Sequence, residues 1–237
     1  MEWADEGIVL GVRRLGESST VATILTREHG RHPGLVHGGA GKAKRGLLQP
    51  GNRLKVWWRS RLAEQLGTYR VELMDAHAAG VFDDPDALAA LASACALCEL
   101  ALPERQAHPA AYVALEVLLE ALSSEAWPSV YVHWELALLR DLGYGLDLSQ
   151  CAATGTNDAL AYVSPKTGRA VSLSVGEPYR DKLLALPAFL VRGGEGDKAA
   201  VREGLALTGF FLDRHVFSPH HAAMPAARSR LVDRFRP

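Results

Sequence analysis

Residues 37–61 read HGGAGKAKRGLLQPGNRLKVWWRSR. Their types suit two kinds of chemistry. Glycines ahead of Lys42 are what a phosphate-cradling loop uses, whereas paired tryptophans among Lys55, Arg59 and Arg61 are what a nucleic-acid strand uses. The first fails on spacing. A Walker-type loop has a glycine five positions before the glycine of its Gly-Lys pair and Ser or Thr after the lysine. Val36 and Ala43 occupy those positions here. The segment also reads as lying between strands, with no helix behind it to turn its N-terminus on a phosphate. Gly38, Gly39 and Gly41 therefore read as flexibility, in either a solvated hairpin tip or a mobile basic flap over a strand.

The run after the loop favours the nucleic acid. Side chains alternate faces along a strand, so Leu54, Val56 and Trp58 share one face and read as core. Arg53, Lys55, Trp57 and Arg59 share the other. Cations that follow phosphates, beside an indole that stacks a base, suit a single strand. The competing reading packs Trp57 under helices, with arginine stems covering it. No acidic residue occurs from His29 to Ala63, while Arg31, Lys42, Lys44, Arg45, Arg53, Lys55, Arg59 and Arg61 all do. These eight and Trp57 are the candidate DNA-binding residues.

Other chemistries are poorly supplied. Cys95 and Cys98 sit three apart in an Ala/Leu-rich helix and read as small hydrophobes on its buried face. A redox pair is expected at a helix start, within a βαβ pattern. His215, His220 and His221 cluster without a completing ligand pattern and read as surface residues. There is no nucleophile elbow, HExxH or positioned carboxylate pair, so no catalytic residue is assigned.

The elements that must position these residues are legible. Runs at 6–14, 19–26, 32–38, 53–59 and 67–74 are short and rich in β-branched or aromatic residues. Five such strands with one long basic loop suggest a small closed barrel over residues 1–78; the oligonucleotide-binding barrel is the commonest five-stranded version, although the strand count alone also fits other small barrels. Residues 79–237 read as a helical domain. One helix opens at Asp84-Pro85 and others at Pro109 and Pro128, predicting three consecutive antiparallel helices. A turn-rich insert follows at about 147–180, then a helix through Val201, Leu205, Phe211 and Leu212 and a basic tail. The fold class is thus α+β.

Across 237 residues the net charge of −1 conceals three blocks. Residues 1–75 hold twelve Lys/Arg against eight Asp/Glu (+4), residues 76–160 two against twelve (−10), and residues 161–237 twelve against seven (+5). Segregation of this kind reports separate surfaces for separate partners. The acidic N-terminus MEWADEGIVLG has no signal-peptide character, and no apolar run is long enough for a membrane span. Three cysteines are too few for a disulfide framework. These features predict a cytoplasmic protein.

Several stretches carry a resemblance: DEGIVLGVRRLGESSTVATILTREHGRHPGLVHGG near the start, QPGNRLKVWW in the fourth strand, ELALLRDLGYGLDLSQC, YVSPKTGRAVS, and ARSRLV in the tail. Together they resemble the bacterial DNA repair protein RecO family over nearly the whole chain. The resemblance implies an N-terminal oligonucleotide-binding barrel, a helical domain and a zinc-ribbon-like insert. It implies a non-enzymatic role in recombinational repair: binding single- and double-stranded DNA, annealing complementary strands and, with RecR, helping load RecA onto DNA coated by single-strand DNA-binding protein. Zinc-bearing relatives place two CxxC pairs where this chain has Cys151, Thr154, Ser172 and Val175. Only Cys151 is retained, so a degenerate insert without metal or other cofactor is expected. The acidic, hydrophobic-ended tail of single-strand DNA-binding protein needs an apolar groove edged by cations. Arg140, Arg228 and Arg230 are the candidates, although Arg140 equally reads as offsetting its helix C-terminus. The alternative of another class is an interaction scaffold whose barrel binds protein; the failed phosphate loop argues against a nucleotide-dependent enzyme.

Overall fold

The computed structural model describes residues 1–62 and 64–236. The N-terminal strands are β1 (Glu2–Leu15), β2 (Ser19–Thr26), β3 (Gly30–Val36), β4 (Arg53–Arg59) and β5 (Thr68–Asp75), with helix α1 (Lys42–Leu47) between β3 and β4. They close into a barrel in the order β1-β2-β3-β5-β4. The length of β1 makes closure possible: its first half pairs with β4 and its second with β2. β3 and β5 meet in parallel at Leu35 and Thr68. This is the five-stranded oligonucleotide-binding type of barrel that the strand pattern predicts.

Alternation along β4 fills the interior, leaving Leu54 and Val56 fully buried and Trp58 2% exposed. They join Val9, Ile24, Val36, Leu48 and Tyr69 in one core. Tyr69 can lie across the sheet because residue 34 is glycine: a Cβ there would sit 2.3 Å from its ring. The Tyr69 hydroxyl donates to the His32 carbonyl at 3.2 Å.

The loop ahead of β4 departs from the expected flexible flap. A helix does follow the glycines. Its end is held by the Asn52 side-chain amide, which donates to the carbonyls of Gly46 and Leu47 at 3.0 and 3.2 Å. Leu48 anchors it in the barrel core. At six residues, α1 is too short to revive a phosphate cradle, and the glycine and hydroxyl that such a loop needs are still missing.

Beyond the barrel lie α2 (His77–Gly80), α3 (Pro85–Ala101), α4 (Pro109–Ala121) and α5 (Trp127–Asp141). The predicted cap holds: the Asp84 carboxylate accepts from the amides of Asp86 and Ala87, with Pro85 in the first turn. Later elements are β6 (Leu160–Val163), β7 (Ala170–Ser172), α6 (Leu173–Gly176), β8 (Leu184–Ala185), α7 (Phe189–Arg192), α8 (Lys198–Leu212) and α9 (Ala226–Arg234).

The chain divides into two compact units, Met1–Ser123 with Pro225–Leu231, and Ser124–Met224 with Val232–Pro237. In the first, α3 packs on β1 and β2. Cys95 and Cys98 lie on its buried face, as their spacing predicts. The Cys95 thiol donates to the Val9 carbonyl at 3.6 Å, and burial pushes it up to about 12, which makes it unreactive. In the second, α5 packs on α8, with buried Glu135 hydrogen-bonded by the Thr208 hydroxyl. Of the three consecutive helices, α3 and α4 thus belong to the first unit and α5 to the second. His215 also departs from its surface reading: it stacks between Tyr144 and Phe211, at 4.9 and 5.9 Å between ring centroids.

The turn-rich region forms a small sheet in the order β7-β6-β8. Cys151 is fully buried beside it. Its sulfur accepts from the Ser172 amide at 3.3 Å and lies 3.5 Å from the Ser172 hydroxyl. Burial works against the thiolate, but bonds from the hydroxyls of Ser172 and Thr154 and the amides of Ser172 and Ala153 outweigh it, bringing the thiol down to about 6. Two positions matched to zinc ligands, Thr154 and Ser172, thus surround the remaining cysteine as hydrogen-bond donors.

Candidate nucleic-acid interface

The outward face of β4 is where sequence placed the site, and the structure divides its residues into two groups. Arg53 and Arg31 are engaged internally. Arg53 donates to Asp75 at 2.8 Å and to Glu116 of α4, which also lies 3.7 Å from Arg27. Arg31 donates to the Leu102 carbonyl at 2.7 Å and to Glu104 at 3.3 Å. Both guanidinia tie the barrel to the segments that follow it.

Trp57 is half-buried and faces a groove of about 640 Å³, shared with Trp3, His37, Arg59, Tyr69 and Arg70. Two cations flank its ring: Lys55 Nζ lies 5.5 Å from the centroid and the Arg70 guanidinium 4.7 Å. Register explains this, because Trp57 pairs with Arg70 across the β4–β5 ladder. Trp3 enters from the start of β1 and stacks on Trp58, at 5.5 Å between centroids, and on His29, at 4.0 Å. Sequence reasoning missed both Arg70 and Trp3. Arg70 becomes visible only when β4 and β5 are put in register, and Trp3 only when β1 is extended to Glu2.

α1 adjoins this groove through Lys44, whose ammonium donates to the carbonyl of His37 at 2.8 Å. Lys42 and Arg45 on the same helix are exposed, as are Arg59 and Arg61. The face is not uniformly positive. Lys55 sits opposite Glu6 on β1 and Glu72 on β5, and Arg59 opposite Glu2. Arg70 also pairs with Glu72 at 2.5 Å. An aromatic floor with cations at its edge can stack bases and neutralise phosphates, the combination that suits a single strand. Among the described residues, no group of three metal-ligating side chains gathers that could hold an ion.

Residues 1–77 match the family Recombination protein O N terminal, and residues 83–223 match Recombination protein O C terminal. The chain belongs to the RecO family. Among its RecO relatives, a protein of Rhodospirillum centenum named DNA repair protein RecO is 58% identical over all of this chain and 95% of its own length. One of the same name from Methylobacterium nodulans is 52% identical over 98% of this chain and 97% of its own, and one from Rhodospirillum rubrum 47% over 100% and 97%.

The residues that the RecO resemblance assigned to a partner peptide separate as well. Arg140, at the end of α5, edges a cavity of about 480 Å³ whose wall mixes Leu136, Leu146, Leu148 and Leu190 with His133, Asp147 and Ser149. Arg230 is exposed on α9. Arg228 is only 5% exposed, so the expected place at an open rim does not hold for it.

Proposed function

We propose that this chain is a non-catalytic DNA-binding protein of recombinational repair. It binds single- and double-stranded DNA, anneals complementary strands and, with RecR, helps load RecA onto DNA coated by single-strand DNA-binding protein. Membership of the RecO family and the relatives' name support the repair role. The observation that carries the binding mode is Trp57, flanked by Lys55 and Arg70 in an open groove of an oligonucleotide-binding barrel. The proposed contacts are Trp57, Lys42, Lys44, Arg45, Lys55, Arg59 and Arg61, with Arg70 added and Arg31 and Arg53 withdrawn; Trp3, stacked between His29 and Trp58, belongs to the barrel instead. The cavity edged by Arg140, with its wall of leucines, is the proposed receptor for the hydrophobic-ended acidic tail of single-strand DNA-binding protein.

The insert is proposed to stand without zinc, the Cys151 sulfur accepting hydrogen bonds in place of a metal bond. No helix among the described residues is long and apolar enough to cross a membrane, and a cytoplasmic, nucleoid-associated role accords with a DNA substrate.

The acids opposite Lys55 and Arg59 favour a second reading, in which this face meets a protein. Titrating a fluorescent oligonucleotide at several salt concentrations separates the two. DNA binding gives a linear fall of log affinity with log salt; no measurable affinity at low salt leaves the protein-binding reading.

A further inference from the structure

A second hollow on the barrel lies away from the tryptophans. It has a volume of about 400 Å³, and Arg13 and Arg14 of β1, Arg45 of α1 and Gly39 stand on its wall. No carboxylate does. Among the described residues, the guanidinia of Arg13 and Arg45 meet no hydrogen-bond or ion-pair partner, and that of Arg14 reaches only the Glu17 carbonyl, at 3.4 Å. Arg31 and Arg53 behave oppositely, each facing an acid of the chain itself. Three like charges around one concavity repel one another, and an anion that enters relieves the repulsion.

The backbone keeps this wall open. A Cβ on residue 39 would sit 2.1 Å from Thr20 Oγ1, and that buried hydroxyl has no hydrogen-bond partner. Planar guanidinia also match phosphate oxygens two at a time, which a lysine cannot do.

We propose that Arg13, Arg14 and Arg45 form a phosphate-binding pocket for a nucleic-acid strand, resting on the DNA-binding reading above. The phosphate is either the terminal monoester of a strand or an internal diester, and the two are separable by experiment. The test uses the full chain, oligo-dT with a 5′-phosphate or a 5′-hydroxyl, and a variant combining Arg13→Gln, Arg14→Gln and Arg45→Gln. A control combining Lys166→Gln, Lys182→Gln and Lys198→Gln has the same net charge. All six side chains are exposed, so both variants are expected to fold.

A terminal site predicts roughly tenfold tighter binding of the phosphorylated oligonucleotide, the size of one lost charge-assisted contact, abolished in the pocket variant alone. An internal site predicts equal binding of both oligonucleotides, with a salt slope smaller by about 2 in the pocket variant, at roughly 0.7 per lost contact, and unchanged in the control. A pocket variant that binds both like the wild type overturns the proposal. Inorganic phosphate, compared with chloride at matched ionic strength, gives an independent readout. It should raise the melting temperature of the wild type and not of the pocket variant. If the wild type binds no oligonucleotide but shows this stabilisation, the DNA-binding reading falls and the phosphate site stands. If oligonucleotides bind and neither slope, end preference nor phosphate stabilisation differs between the proteins, the site falls alone.

Discussion

Arg53→Met is expected to weaken the fold while leaving the salt dependence of DNA binding unchanged. The side chain is 25% exposed and serves two acids, Glu116 at 14% and Asp75 at 45%. Methionine keeps most of the stem's packing and removes the charge. Glu116 would then retain only Arg27, at 3.7 Å. Losing a charge-assisted bond to a largely buried carboxylate costs about 1.5–3 kcal/mol, whereas the half-exposed Asp75 returns to water at a cost of about 0–1 kcal/mol. The sum is about 1.5–4 kcal/mol, readable as a lower midpoint in urea followed by tryptophan fluorescence.

The DNA arm runs in parallel. A cation lying against a phosphate contributes about 0.7 to the salt slope on a single strand. Arg59→Ala should therefore flatten the slope by about that amount with little loss of stability, and Arg53→Met should not flatten it. A slope lowered by Arg53→Met with its urea midpoint unmoved would refute the division of these arginines. It would mean that the Asp75 and Glu116 pairs open in solution and the guanidinium turns to the strand.

Four further outcomes are expected. Trp57→Ala should weaken oligo-dT binding by about 1–3 kcal/mol and reduce the fluorescence quenching that accompanies it, with the salt slope nearly unchanged; quenching equal to the wild type would remove the stacking role. His32 is held down to about 4, mainly by burial, while its Nδ1 donates to the Pro33 carbonyl. The unfolded chain therefore takes up a proton near pH 6.5 that the folded one refuses until about 4, so stability falls as pH drops through that window, by about 1.4 kcal/mol per unit at most; His32→Gln should remove that part of the acid sensitivity in urea titrations. Ser172→Ala should raise the Cys151 thiol from about 6, seen as loss of thiolate absorbance at neutral pH. Arg140→Ala should weaken binding of a peptide ending in acids and a phenylalanine about tenfold or more, with oligonucleotide affinity retained.

What was legible in the sequence follows the range of the physics involved. Strand alternation is local, so the burial of Leu54, Val56 and Trp58 and the outward facing of Lys55, Trp57 and Arg59 could be read directly. The Asp84-Pro85 cap lay within three residues and was equally plain. The partners of Arg53 and Arg31 were not, because Glu116 lies 63 residues from one and Glu104 lies 73 from the other. An acid-free stretch of sequence does not make an acid-free surface once the chain folds.

The same reasoning decides where on the barrel a strand is best held. On β4 each outward cation has a carboxylate across the ladder, through Glu2, Glu6, Glu72 or Asp75. The net attraction of that face for phosphate is therefore smaller than its sequence suggests, and stacking on Trp57 must supply more of the affinity. Around α1 the opposite holds, since Lys42 and Arg45 are exposed and no carboxylate lines the hollow shared by Arg13, Arg14 and Arg45. A strand laid across both regions would take its bases on one and its charge on the other. Loss of the indole should then leave a strongly salt-sensitive residue of binding, and loss of the α1 and β1 cations a less salt-sensitive one. Equal salt slopes in the two variants would contradict this division of labour.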